Sequence, residues 1–113
     1  MSPKKSQPLD RITLTIPCAA DYVGVVRLTV SGIATRMNFS VEEIEDIKIA
    51  VSEACTNAVQ YAYEEGSNGE VILTFDIHES KLDIMIKDEG TGFDLAAVME
   101  KKADGPQISD SSD

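Results

Sequence analysis

Apolar and polar side chains alternate at the start of the chain. In RITLTIP, residues 11–17, Ile12, Leu14 and Ile16 share one face and Arg11, Thr13 and Thr15 the other. A period of two predicts a short strand with one buried face, and Pro17 ends it. The period then changes. From Asp21 to Met37 apolar residues recur at Tyr22, Val25, Val26, Val30, Ile33 and Met37, spaced by three and four, which predicts an amphipathic helix. Thr29 interrupts the stripe, Gly24 and Gly32 weaken it, and Asn38 is its stop. Ser40-Val41-Glu42-Glu43 is a capping box, Ser at the cap and Glu three positions later, so a second helix opens there. Its stripe is Ile44, Ile47, Val51, Ala54 and Ala58, and it ends near Tyr63–Gly66. That is a helix of about 24 residues, roughly 36 Å long.

Period two returns in VILTFDI (71–77) and LDIMIKD (82–88), joined by a loop at 78–81. After DEGTGFD, the stretch LAAVMEKKA predicts one or two helical turns. Residues 1–10 read as a polar arm, and DGPQISDSSD as a polar, disordered tail. The expected fold is an α+β two-layer sandwich: a mixed, mainly antiparallel sheet covered on one face by helices.

Length and composition narrow the picture. With 113 residues, 42% apolar and 27% charged, the chain suits one globular domain, and without Trp its core rests on Ile, Val, Leu and Ala. No apolar run approaches the roughly 18 residues of a spanning helix, and the N-terminus has no signal-peptide pattern, so no membrane role is expected. Cys18 and Cys55 form no C-x-x-C pair and are expected to be free thiols in a reducing cytoplasm. A net charge of −10 argues against a nucleic-acid surface, which needs clustered Lys and Arg.

Three positions carry candidate chemistry. In SEACTNAV, residues 52–59, Glu53 and Asn57 lie one helical turn apart, off the apolar stripe, among small neighbours. As a solvated polar face they mean little. As a site, the carboxylate takes or orients a hydroxyl proton, and the amide oxygen is a hard neutral ligand suited to Mg²⁺ beside phosphates. Asp88 has the parity of Leu82, Ile84 and Ile86, so it points inward at a strand end unless it merely caps a turn. A buried carboxylate needs a donor, such as the exocyclic amine of adenine. Gly90-Thr91-Gly92 permits close backbone approach to a ligand, though a lone G-x-G is weak evidence. There is no P-loop motif, and His78, alone in its turn, makes a poor metal site.

Together these segments resemble a known family. VSEACTNAVQYAY resembles the N-box of the GHKL ATPases, and DEGTGF their first glycine box. YVGVVRLTVSGIATRM, EEIEDIKIAVSEACTNAV and NGEV more narrowly resemble the RsbW-type anti-sigma factors, over about Ile12 to Asp94. The resemblance implies ATP and Mg²⁺ as cofactors, Glu53 as general base, Asn57 as Mg²⁺ ligand, Asp88 as the reader of adenine, and Gly90 and Gly92 as shapers of the pocket. It implies that Arg27 lies on a partner-binding surface. It also implies a cytoplasmic homodimer that sequesters an alternative sigma factor and phosphorylates an anti-anti-sigma factor on serine. The corresponding map is an arm at 1–10, an incomplete kinase domain at 11–95, and the start of an ATP lid at 96–113. The family's second glycine box has no counterpart in PQISDSSD. A non-catalytic sigma-binding module of the same fold is the alternative, and a histidine kinase is a third reading.

Overall fold

The computed structural model describes residues 7–64, 66, 69–89 and 94–101. The elements run β1 (Asp10–Pro17), a 3-10 turn (Ala20–Tyr22), α1 (Val23–Arg36), α2 (Val41–Glu64), β2 (Glu70–Ile77), β3 (Lys81–Asp88) and β4 (Asp94–Glu100). The four strands form one sheet in the order β1-β2-β3-β4. All its pairings are antiparallel among the described residues, in line with the mainly antiparallel sheet expected. The helices bury one face of it, giving the expected α+β layering.

The apolar stripes explain this packing. Val26, Val30 and Ala34 of α1 are fully buried, as are Cys55, Ala58 and Ala62 of α2. Beneath them lie Val71, Leu73 and Phe75 of β2 and Leu82, Ile84 and Ile86 of β3. β1, at the sheet edge, buries Ile16 fully and Leu14 partly, and leaves Ile12 exposed.

Three expectations are corrected. Tyr22 and Val25 are 40% and 43% exposed, and Val23 is buried instead, because the 3-10 turn delays the helix start and rotates the stripe. In α2, Ile44 and Ala54 only flank the core, while Cys55, Val59 and Ala62 complete it. The predicted helical turns in LAAVMEKKA are strand β4, with Leu95, Ala97 and Met99 opposite Ile86, Ile84 and Leu82. The free edge of β3 offers backbone partners that a short isolated helix lacks. The remainder of that stretch, and the tail, lie outside the described residues.

The helix junction is tightly specified. Phe39 N–H donates to Ala34 O at 3.1 Å and Asn38 N–H to Thr35 O at 3.0 Å, the paired bonds of a Schellman motif. Asn38 takes the left-handed conformation this requires, with φ of 66°. Two residues on, the predicted capping box forms. Ser40 N–H donates to Glu43 Oε1 at 2.7 Å, and Glu43 N–H to Ser40 Oγ at 3.1 Å. The hairpin joining β2 to β3 is closed by His78 N–H on Lys81 O at 3.0 Å.

Candidate functional site

The site is built on α2, on the side turned away from its buried stripe. Glu53 and Asn57 are both exposed and follow each other one turn apart. With Ser52 and Thr56 they line a groove of about 310 Å³. The short side chains at 52 and 56 leave that volume open. A second groove, about 360 Å³, adjoins it and is lined by Arg27, Glu45, Lys48, Ile49, Ser52 and Glu53. Ser52 and Glu53 belong to both, so Glu53 stands where the two meet, with Asn57 on one flank and Arg27 on the other.

Arg27, from α1, crosses to α2. Its Nε donates to Ser52 Oγ at 3.0 Å. Lys48 is held by Glu45, Nζ to Oε2 at 3.1 Å.

Asp88 is 0% exposed at the end of β3, as strand parity predicted, and sits opposite Val71 in the ladder. It is engaged by other groups of the protein and does not line the groove of Glu53 and Asn57. Cys18 lies between β1 and α1 and reaches α2. The Cys18 thiol donates a long hydrogen bond, 3.9 Å, to Val59 O. Burial raises the pKa of that thiol, and the charge of Asp88 raises it further. Cys55, one turn before Val59, is pushed up to about 11 by burial and by its neighbour Cys18. Both cysteines are free, as expected. Gly90 and Gly92 lie outside the described residues. His78, in its turn, is half-buried. Its ring is 11% exposed, with Nε2 at 3.1 Å from Asp83 Oδ2.

A sequence model of the histidine kinase-like ATPase domain matches residues 16–111. The chain belongs to that family. Curated relatives of this histidine kinase-like ATPase domain include the serine-protein kinase RsbW of Bacillus subtilis, 54% identical over 86 residues, covering 76% of this chain and 54% of the relative. The proteins of the same name from Bacillus pumilus and Oceanobacillus iheyensis are each 50% identical over 97 residues, covering 84% and 86% of this chain and 60% of each relative. The chain spans a little over half the length of these relatives.

For a histidine kinase-like ATPase domain the donor set is chemically apt. One carboxamide and one carboxylate in an open groove suit an ion held mainly by phosphate oxygens and water. No cluster of three or more His, Cys, Asp or Glu able to hold a metal occurs among the described residues. Nor is any helix there long and apolar enough to cross a membrane. Two features escaped the sequence reading. Thr56, three residues after Glu53, shares its face of α2, a signal helical spacing carries. The Arg27–Ser52 bond joins residues 25 apart and has no local signature.

Proposed function

We propose that this domain is the nucleotide-binding part of an anti-sigma factor that is also an ATP-dependent serine-protein kinase, acting on an anti-anti-sigma protein. The observation that carries the reading is the shared groove of Glu53 and Asn57, a carboxylate and a carboxamide one helical turn apart beside small side chains. The similarity to RsbW serine-protein kinases supports it.

In this reading ATP lies on the Asn57 flank. The Asn57 amide oxygen would hold Mg²⁺, which would supply charge neutralisation on the phosphates. Glu53 would accept or orient the proton of the acceptor serine hydroxyl as its oxygen bonds to the γ-phosphorus and the bond to the β,γ-bridging oxygen breaks, releasing ADP. Phosphoryl transfer is mostly positioning and electrostatics, so two side chains on one rigid helix supply much of what is needed. Asp88, inward on β3, accepts a hydrogen bond from the adenine amine, with Gly90 and Gly92 shaping the approach. Arg27 faces the protein partner. The open edge of β1 offers a strand for pairing across a twofold axis, giving a homodimer. The protein acts in the cytoplasm, where its sigma factor works. With a charge of −10 it contacts neither nucleic acid nor membrane directly.

The test is transfer of labelled phosphate from ATP to the acceptor protein by Glu53→Gln. Transfer is expected to fall to background while ATP and sigma-factor binding persist. Transfer at the wild-type rate would remove Glu53 from the mechanism.

A further inference from the structure

Arg27 and Asn57 occupy opposite flanks of Glu53. Asn57 lines only the first groove and Arg27 only the second. A carboxylate that handles the acceptor hydroxyl must stand between the phosphates and the incoming chain. With nucleotide on the Asn57 flank, the acceptor enters along the other groove. Its walls suit a protein segment: Ile49 is exposed on one side, and Arg27 makes no ion pair among the described residues. Lys48, by contrast, is already paired with Glu45.

An exposed arginine ordinarily samples many rotamers, and ordering it on binding costs entropy. Here one atom is already fixed. Nε donates to Ser52 Oγ, which leaves the Nη1 and Nη2 hydrogens to serve a partner. Ser52 lies on the same turn of α2 as Glu53, so the contact also ties α1 to the backbone that carries the carboxylate.

We infer that Ser52 is a positioning residue for the acceptor protein: by accepting the Arg27 Nε hydrogen bond, it holds the guanidinium over the groove on the acceptor side of Glu53. This rests on the kinase reading above. It adds a role for a side chain that acts on the acceptor through Arg27.

The experiment is a double-mutant cycle in the intact protein with Ser52→Ala and Arg27→Ala, with Ser52→Thr as the conservative variant. The KM for acceptor protein and the Kd for Mg-ATP are read separately. Ser52→Ala is expected to raise the acceptor KM about fivefold, as loss of one charge-assisted hydrogen bond would, with a smaller change in ATP affinity. Ser52→Thr restores most of the loss. In the Arg27→Ala background Ser52→Ala adds nothing, because the two act as a unit. An unchanged KM, an effect additive with Arg27→Ala, or an equal loss of ATP affinity would overturn the inference. If wild type transfers no phosphate, the kinase reading fails instead. The same cycle is then read by calorimetric binding of the acceptor protein, where the same nonadditivity is expected and its absence is fatal to the role of Ser52.

Discussion

Asp76 and Asp83 face each other directly across the β2–β3 ladder, each held by a different basic side chain. Arg11 grips Asp76 with two bonds, Nε to Oδ1 at 2.6 Å and Nη2 to Oδ2 at 2.9 Å. His78 Nε2 lies 3.1 Å from Asp83 Oδ2. Like charges opposite one another destabilise a sheet, and the Arg11 guanidinium offsets this at Asp76.

The hydrogen bond from Arg11 depresses the Asp76 pKa below its ordinary value; burial works against this, and the charges of Arg11 and His78 add to the lowering. A depressed pKa means stability that is present above the unfolded value, about 3.9, and lost as pH falls through the lower folded one. Urea unfolding between about pH 2.5 and pH 6 should therefore show wild type losing stability at the acid end. Asp76→Asn should start less stable at neutral pH and show a flatter acid limb. Identical acid limbs would mean the bridge does not contribute.

Asn57→Ala should weaken nucleotide binding chiefly when Mg²⁺ is present. A loss on the order of tenfold in Mg-ATP affinity, the equivalent of about 1.4 kcal/mol, is expected by fluorescent-nucleotide titration. Binding in excess chelator should change far less. Equal losses in both conditions would argue that Asn57 contacts the nucleotide or the fold, not the ion.

Thiol labelling should separate the cysteines. At pH 7 Cys55, buried and with its pKa near 11, should react only when the chain unfolds, while half-buried Cys18 reacts slowly in the native state. Because the charge of Asp88 adds to the raised pKa of Cys18, Asp88→Asn should speed native-state labelling at that position. No change in rate would show that the two groups are not electrostatically coupled.

Ser40→Ala removes one half of the capping box at the start of α2. The expected cost is about 1 kcal/mol, a lowering of Tm by roughly 4–8 °C for a domain of this size. Calorimetry checks it, and Ser40→Asp should recover most of the loss.

The local rules read much of this molecule correctly. Alternation along LDIMIKD was enough to turn Asp88 inward, and the Ser40/Glu43 pair was visible as text before it was seen as two hydrogen bonds. The exposure of Glu53 and Asn57 followed from their offset to Ile47 and Val51. What failed was tertiary. Leu95, Ala96, Ala97 and Met99 are good helix formers, yet an unpaired edge of β3 drew them into a strand. Ala34, Cys55 and Ala62 are fully buried, yet the stripes read from the sequence passed over them, because small residues fit a buried and an exposed face equally well. Nothing in the order of residues announced that Arg27 would reach Ser52 from another helix.

The short link from Met37 to Ser40 has a mechanical consequence. Its backbone donors are spent on the Schellman bonds and the capping box, so it holds no slack. Force applied to the outer surface of α1 therefore cannot be absorbed by a hinge at that corner. The corner instead carries the load from α1 to α2. Arg27 and Ser52, hydrogen-bonded across the two helices, sit on the layer that this corner stiffens.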